Sequence, residues 1–308
     1  MKKGLVFRST GSWYSVESDG VFYDCRIKGK LRLKGIKSTN PIAVGDRVIF
    51  KVDTQVTEPK GTIVEIEQRQ NYIVRKSVNL SKQTHIIASN IDQVFLLITL
   101  HNPPTFPAFI DRFLVTAEAY QIPSILVFNK LDTCTQEQEK EIGDLAAIYN
   151  KIGYQTFKIS ATEGLNIDEI ESLMLNKISM FSGHSGVGKS TLINVIAPDL
   201  NLKTAAISDQ HKQGTHTTTF AEMFALPKGM KLIDTPGIKG FGVVNMQAEE
   251  IGNYFPEFKE LKRYCKFHNC LHQSEPQCAV IKAFEAGEVA ETRYQSYLKM
   301  LKNDTTYR

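Results

Sequence analysis

Apolar and polar positions alternate with period two over residues 1–70, in short runs such as "GLVFRST", "GVFYDCRIKGKLRLKG", "PIAVGDRVIFKV" and "GTIVEIEQ". Gly, Asn and Pro interrupt the runs, and helical spacing does not set in. Successive side chains of a strand point to opposite faces, so this pattern predicts short strands with one buried face. Several such strands at close spacing predict a small barrel, an OB-fold. From 71 to 250 the pattern changes. Continuous apolar runs of strand length ("DQVFLLITL", "PSILVFNK", "YQTFKIS", "NKISMFSG", "KLIDTPG") alternate with segments of helical period ("AFIDRFLVTAEAY", "TQEQEKEIGDLAAIYNKIG"). That alternation predicts an α/β domain with a mostly parallel sheet covered by helices. Residues 251–308 carry a Cys/His cluster and then a helix with Tyr294, Tyr297, Leu298 and Leu301 on one face.

Composition narrows the class without naming a chemistry. The 308 residues suit about two or three domains, and 42% apolar with 23% charged residues is ordinary for a globular chain. No run of eighteen apolar residues occurs, and "MKKGLVFRSTGSWY" has neither the apolar stretch nor the cleavage site of a signal peptide. A cytoplasmic protein without a membrane partner is expected. A net charge of +4 does not by itself demand nucleic acid, so the distribution of charge must carry that argument. Five cysteines is an odd count, and three of them lie close together, which reads as metal ligation rather than disulfides.

The chemistry begins with "GHSGVGKST", which fits the phosphate-loop spacing of Gly, four residues, Gly, Lys, Ser. A strand is expected before it and the helix "STLINVIA" after it. Gly183, Ser185, Gly186, Val187 and Gly188 would turn backbone N–H groups around a β-phosphate, Lys189 would reach the β and γ oxygens, Ser190 would give its hydroxyl to Mg²⁺, and Thr191 follows in the same helical turn. Downstream, "DTPG" sets Asp234 to hold the magnesium through water and the Gly237 N–H to meet a γ-phosphate. Between them lies "QGTHTTTF", from which Thr217 or Thr218 could reach the metal as an ordering switch. Upstream, "FNKLD" ends an apolar strand with Asn129, Lys130 and Asp132. The Asp132 carboxylate can accept from guanine N1–H and the 2-amino group, and the Lys130 stem can lie over the ring. In "KISAT" the N–H groups of Ser160 and Ala161 could meet guanine O6. These residues speak for GTP and GDP and against an ATPase, yet the base-reading parts come before the phosphate loop.

Two further patterns carry chemistry. "YCKFHNCLHQSEPQC" spaces Cys265, Cys270, His272 and Cys278 as C-x4-C-x-H-x5-C, the donor set of a closed structural zinc site, with His268 as a competitor for the nitrogen position. Cys25 and Cys134 are left over as inert thiols. In "CRIKGKLRLKG" the cations Arg26, Lys28, Lys30, Arg32 and Lys34 alternate with Ile27, Gly29, Leu31, Leu33 and Gly35, placing five positive charges on one strand face with no carboxylate among them. With Arg8, Trp13 and Tyr14 nearby, this face fits an OB-fold surface that tracks an RNA backbone.

The order "NKLD", "SAT", "GHSGVGKST", "THTTT", "DTPG", flanked by the barrel and the Cys/His segment, resembles the circularly permuted GTPases of the RsgA (YjeQ/YloQ) family over nearly the whole chain. The resemblance implies three parts: an N-terminal OB barrel, a central α/β permuted P-loop GTPase domain and a C-terminal zinc-binding helical domain. It implies a monomeric GTP-hydrolysing switch that binds the small ribosomal subunit and its rRNA and assists its maturation. It favours His272 over His268 as zinc ligand and maps a catalytic switch histidine to His216, beside Lys189 and Thr218. Ile238 follows Gly237 where common GTPases carry a water-orienting Gln, and Gly186 stands where potassium-stimulated relatives carry Asn. Two other readings remain at this stage: a housekeeping GTPase with no ribosomal role, separated by subunit-stimulated turnover, and a GTP-holding RNA-binding protein that releases no phosphate.

Overall fold

The computed structural model describes residues 1–27, 41–54, 57–76, 84–200, 221–234 and 246–302. Two compact units emerge, one of residues 1–94, 168–181 and 193–238, the other of 95–167, 182–192 and 239–308.

In the first unit five strands close a barrel: β1 (Lys2–Ser9), β2 (Tyr14–Ser18), β3 (Val21–Ile27), β4 (Arg47–Val52) and β5 (Lys60–Ile66). β1–β2, β2–β3, β4–β5 and β1–β4 pair antiparallel and β3–β5 parallel, so the sheet returns on itself and leaves no open edge within the ring. Period-two alternation sends Val6, Tyr14, Val16, Cys25, Val48, Phe50 and Ile63 inward as the core. Burial pushes the Cys25 thiol up to about 12, which keeps it inert as expected. Arg69 ties the barrel's closing turn by a bidentate pair to the fully buried Asp46 at 2.6 Å, and Asp46 also accepts from the Ala43 N–H and the Ser89 hydroxyl. A two-stranded hairpin follows, β6 (Tyr72–Lys76) and β7 (Thr84–Ser89).

The same unit holds β11 (Ile178–Ser182) up to its penultimate residue, β12 (Glu222–Ala225) and β13 (Lys231–Asp234), with β13 parallel to β11 and antiparallel to β12. β12 pairs on its other side with β1, at Arg8 opposite Glu222. The four-residue β12 lies beyond what periodicity revealed, being too short to set up a period.

The second unit takes most of β8 (Gln93–Ile98), β9 (Ser124–Phe128) and β10 (Gln155–Lys158), with β9 between the other two and parallel to β10. Every residue of β8 is buried, which is why its sequence reads as an unbroken apolar run. Helices α1 (Pro107–Ala119) and α2 (Gln136–Lys151) fall where the helical period sets them, and Thr135 and Gln138 cap α2 reciprocally. Four shorter helices bracket the remaining motifs: α3 (Ile167–Met174), α4 (Lys189–Ile196), α5 (Ala248–Ile251) and α6 (Pro256–Lys262). The chain then ends in α7 (Ala279–Glu285) and α8 (Glu291–Leu301). Among the described residues no helix is long and apolar enough to cross a membrane.

Candidate nucleotide and metal sites

Strand β11 gives way at Gly183 to a loop that ends where α4 begins at Lys189. Gly183, Gly186 and Gly188 sit at φ +139°, +85° and +98°, a region L side chains avoid. Close approach fixes two of them as well: a Cβ at Gly183 would press on the Leu97 carbonyl, and one at Gly188 would collide with the Asn129 amide. Val187 is buried, Ser185 and Gly186 are exposed, and Ser190 and Thr191 lie half-buried in the first turn of α4. Lys189 Nζ donates to the carbonyls of Gly183 at 2.8 Å and His184 at 2.7 Å, so the ammonium lies along the loop. The His184 ring tilts against Phe109 at 3.9 Å between centroids, and burial, then the Lys189 charge, hold its pKa below the ordinary value. That neutral imidazole adds no charge to the loop.

At the end of β9, Asn129 is 3% exposed and divides its side chain between two loops. Nδ2 donates to the Val187 carbonyl at 2.8 Å, and Oδ1 accepts from the Ala161 N–H at 3.0 Å. One amide thus ties the phosphate loop to the "SAT" loop. Lys130 adopts a left-handed φ of +70° and donates to the Asn102 carbonyl at 2.8 Å. Asp132 is the middle residue of a single 3-10 turn, Leu131–Thr133, and its Oδ1 accepts from the Ser160 hydroxyl at 2.5 Å. The Ser160 N–H donates to the Leu165 carbonyl, so both N–H groups expected to meet guanine O6 are engaged within the protein, while the serine hydroxyl orients the base-reading carboxylate. The sequence reading missed that hydroxyl, because nothing in the spacing links Ser160 to Asp132.

Asp234 ends β13 in the first unit, half-buried and in register with Glu222. Thr217, Thr218, His216, Gly237 and Ile238 lie outside the described residues, as do Lys28, Lys30, Arg32 and Lys34. Arg26 is described: it is exposed, while Tyr23 and Cys25 beside it are buried, and its guanidinium lies 3.7 Å from the centre of the Trp13 ring. Tyr14 corrects the expected RNA face, since it pairs with Cys25 across β2–β3 and points inward with it, leaving 1% of its surface exposed.

In the second unit the ligand atoms of Cys265, Cys270, His272 and Cys278 all lie within 4.8 Å of one another, and His268 is exposed outside the group. Tetrahedral coordination with bonds of ~2.3 Å to sulfur and ~2.0 Å to nitrogen sets S···S at ~3.8 Å and N···S at ~3.5 Å. The observed separations are 3.9 Å for Cys265 to Cys278, and 3.7 and 3.3 Å from His272 Nδ1 to those two sulfurs. The four residues therefore fit an ion such as zinc, with Nδ1 as the nitrogen donor. Burial lowers His272 to about 4, keeping the imidazole in its neutral, ligating form, and raises the Cys270 thiol to about 12, a cost that a bound cation reverses. The turn that carries His272 is held from outside the motif. Tyr294 and Tyr297 of α8 donate to the carbonyls of His272 and Leu271, each at 2.7 Å, and the Glu275 carboxylate accepts from the N–H groups of Leu271, Gln273 and Ser274.

A glycine loop joining strand to helix, laced by an Asn to the strand end that carries Lys130 and Asp132, defines a P-loop protein of the GTPase class whose base-reading strand precedes its phosphate loop. More narrowly, the chain belongs to the RsgA GTPase family: the model for the RsgA GTPase matches residues 66–244 and that for the RsgA N-terminal domain matches residues 3–63. It is 61% identical over 303 residues to a protein of Christiangramia forsetii named small ribosomal subunit biogenesis GTPase RsgA, covering 98% of this chain and 96% of that one. A protein of the same name from Porphyromonas gingivalis is 48% identical, with 99% and 98% covered. Among solved structures, YjeQ from Thermotoga maritima matches with a TM-score of 0.79 at 33% identity, covering 100% of this chain and 99% of that one. YloQ, described as a circularly permuted GTPase, matches at 0.77 and 28% identity, covering 100% and 96%.

Proposed function

We propose that this GTP-hydrolysing enzyme is a switch that binds the small (30S) ribosomal subunit and assists its late assembly. The observation that carries the guanine reading is the Asn129 amide joining two loops beside an Asp132 carboxylate aimed by Ser160. The ribosomal reading rests on the names of the relatives. In this account Asp132 pairs with N1–H and the 2-amino group of guanine, Lys130 covers the ring, and the N–H groups of residues 183–191 with Lys189 hold the phosphates. Ser190, Thr218 and Asp234 would hold magnesium, which would supply positive charge to the phosphates. Gly237 meets the γ-phosphate, and His216 orients water, since Ile238 has no group to do so.

Cys265, Cys270, His272 and Cys278 would hold one structural zinc ion. Arg26, Lys28, Lys30, Arg32 and Lys34 would contact rRNA phosphates. The working parts would be residues 1–70, 71–250 and 251–308 of a cytoplasmic monomer. The test is GTP turnover with and without purified small subunits. Stimulation is expected, together with tighter subunit binding by the GTP form than by the GDP form. Turnover indifferent to subunits would return the protein to the housekeeping class.

A further inference from the structure

Outside the nucleotide and metal sites, the first unit carries a groove of about 720 Å³ between the outer face of the barrel and β12. That volume lies within the ~300–1,000 Å³ of ordinary small-molecule sites. Trp13 and Phe22 line it and keep 36% and 49% of their surface exposed, an unusual way to leave two large rings. Trp13 is also rigidly presented. In its turn the Thr10 N–H and hydroxyl both donate to the Trp13 carbonyl, the Trp13 N–H donates back to the Thr10 hydroxyl, and the Tyr14 hydroxyl donates to Gly11. Arg26 lies over the indole at 3.7 Å, and Phe7, also in the groove lining, meets Phe22 edge-on at 5.1 Å, so each ring is held by a neighbour.

The charges in the groove decide what can enter. Arg8 is paired with Glu222 at 3.3 Å, Lys60 with Glu58 at 2.7 Å, and Asp24 adds a further carboxylate. Such a balanced lining does not attract a phosphate. It suits a flat, neutral heterocycle with donors and acceptors on its edge, which Asp24 and the Ser15 hydroxyl can meet. Arg26, one of the cations proposed to hold rRNA phosphates, lies against the same indole, so a phosphate met by Arg26 would bring its base within reach of Trp13. The geometry points to a nucleobase subsite: one unpaired base of a single-stranded RNA stacks on Trp13 in the groove beside Phe22. The inference rests on the RNA-binding reading of the barrel and deepens it, since phosphate contacts position a chain while a splayed base can be read.

Trp13 is the one tryptophan of the sequence, so its emission reports on this place alone. A short single-stranded RNA and a duplex of the same sequence are titrated against the full chain, following dye anisotropy on the RNA for binding and tryptophan emission for stacking. Single-stranded RNA should quench the emission as it binds, and the duplex should bind without quenching. Trp13→Ala should weaken single-strand binding roughly ten-fold or more, Trp13→Phe should restore most of it, and duplex binding should not change. Single-strand binding with undisturbed emission overturns the subsite and leaves RNA binding intact. Equal affinity of a normally melting Trp13→Ala protein does the same. No anisotropy change with either RNA overturns the RNA reading itself.

Discussion

The nucleotide loops and the Cys/His knot belong to the same compact unit and are built on opposite plans. In the nucleotide site the supporting groups are members of the motifs themselves: Asn129 braces Val187 and Ala161, Lys189 lies on its own loop, and Ser160 aims Asp132. In the knot the ligands are contiguous, yet their turn is clamped by two tyrosines from a helix some twenty residues onward. A site that supports itself can lose ligand affinity without unfolding. One propped from outside loses its shape along with its prop. The expected effects follow from that difference.

The largest concerns the metal. Structural zinc in small modules contributes an apparent ~10–16 kcal/mol near neutral pH, because the ligand cage does not exist in the unfolded chain. Chelation should therefore melt residues 256–302, seen as new proteolytic cleavage there, while GTP binding persists. A stripped protein, with metal loss verified, that resists protease there as the loaded one does would end the contrast.

Next comes Arg293, which sequence patterning placed on no particular face. It is 1% exposed, donates to Asp111 at 2.7 Å and by two bonds to Glu257 at 2.8 and 3.0 Å, and lies over Phe255. The Tyr149 hydroxyl donates to the same Asp111 oxygen as Arg293, at 2.8 Å, so α8, α1, α2 and α6 meet at one charge cluster. Arg293→Met leaves two carboxylates unpaired in the interior and should cost about 3–5 kcal/mol in denaturant unfolding. Adding Asp111→Leu should recover part of that loss, since the remaining penalty is an orphaned charge rather than a lost attraction. A single variant as stable as the parent would show that water reaches the cluster.

On the nucleotide side, Asp132→Asn should weaken GTP by about 1.5–3 kcal/mol, roughly ten- to a hundred-fold, and favour xanthine nucleotides, with the melting curve unchanged. An unaltered base preference would remove the guanine assignment. A shifted melting curve would show that the Ser160 contact supports the fold as well as the ligand.

These cases also show what was legible in the sequence. Strand ends, the glycine loop and the four metal ligands are local patterns, and a spacing of a few residues suffices to see them. Arg293 meets a carboxylate 182 positions away, which periodicity cannot encode. Tyr294 and Tyr297 were read as apolar, and their rings are indeed buried, but each has a second role at its hydroxyl that appears only once the ligand turn is beside it. Tyr14 was misplaced for the converse reason: a one-residue choice of where β2 begins decides which of Trp13 and Tyr14 faces out. Glu275 sits inside the motif and could have been suspected, since a carboxylate between metal ligands that is not itself a ligand has bare turn N–H groups within reach.

The smallest expected effect tests the contrast most finely. Tyr297 is 1% exposed and its hydroxyl donates to the Leu271 carbonyl, next to the ligand His272. Burial, then Glu275, raises its pKa, so the hydroxyl stays a donor through the physiological range and brings no pH dependence there. Tyr297→Phe keeps the ring against Phe255 and Phe258 and removes only that donor from the half-buried Leu271 carbonyl. The expected cost is about 0.5–1.5 kcal/mol, up to about ten-fold in metal affinity by chelator competition, because the turn can sample geometries the cage does not accept. GTP affinity should not move. If it falls together with metal affinity, the two sites share their support, and the division between a self-braced nucleotide site and a propped metal knot does not hold.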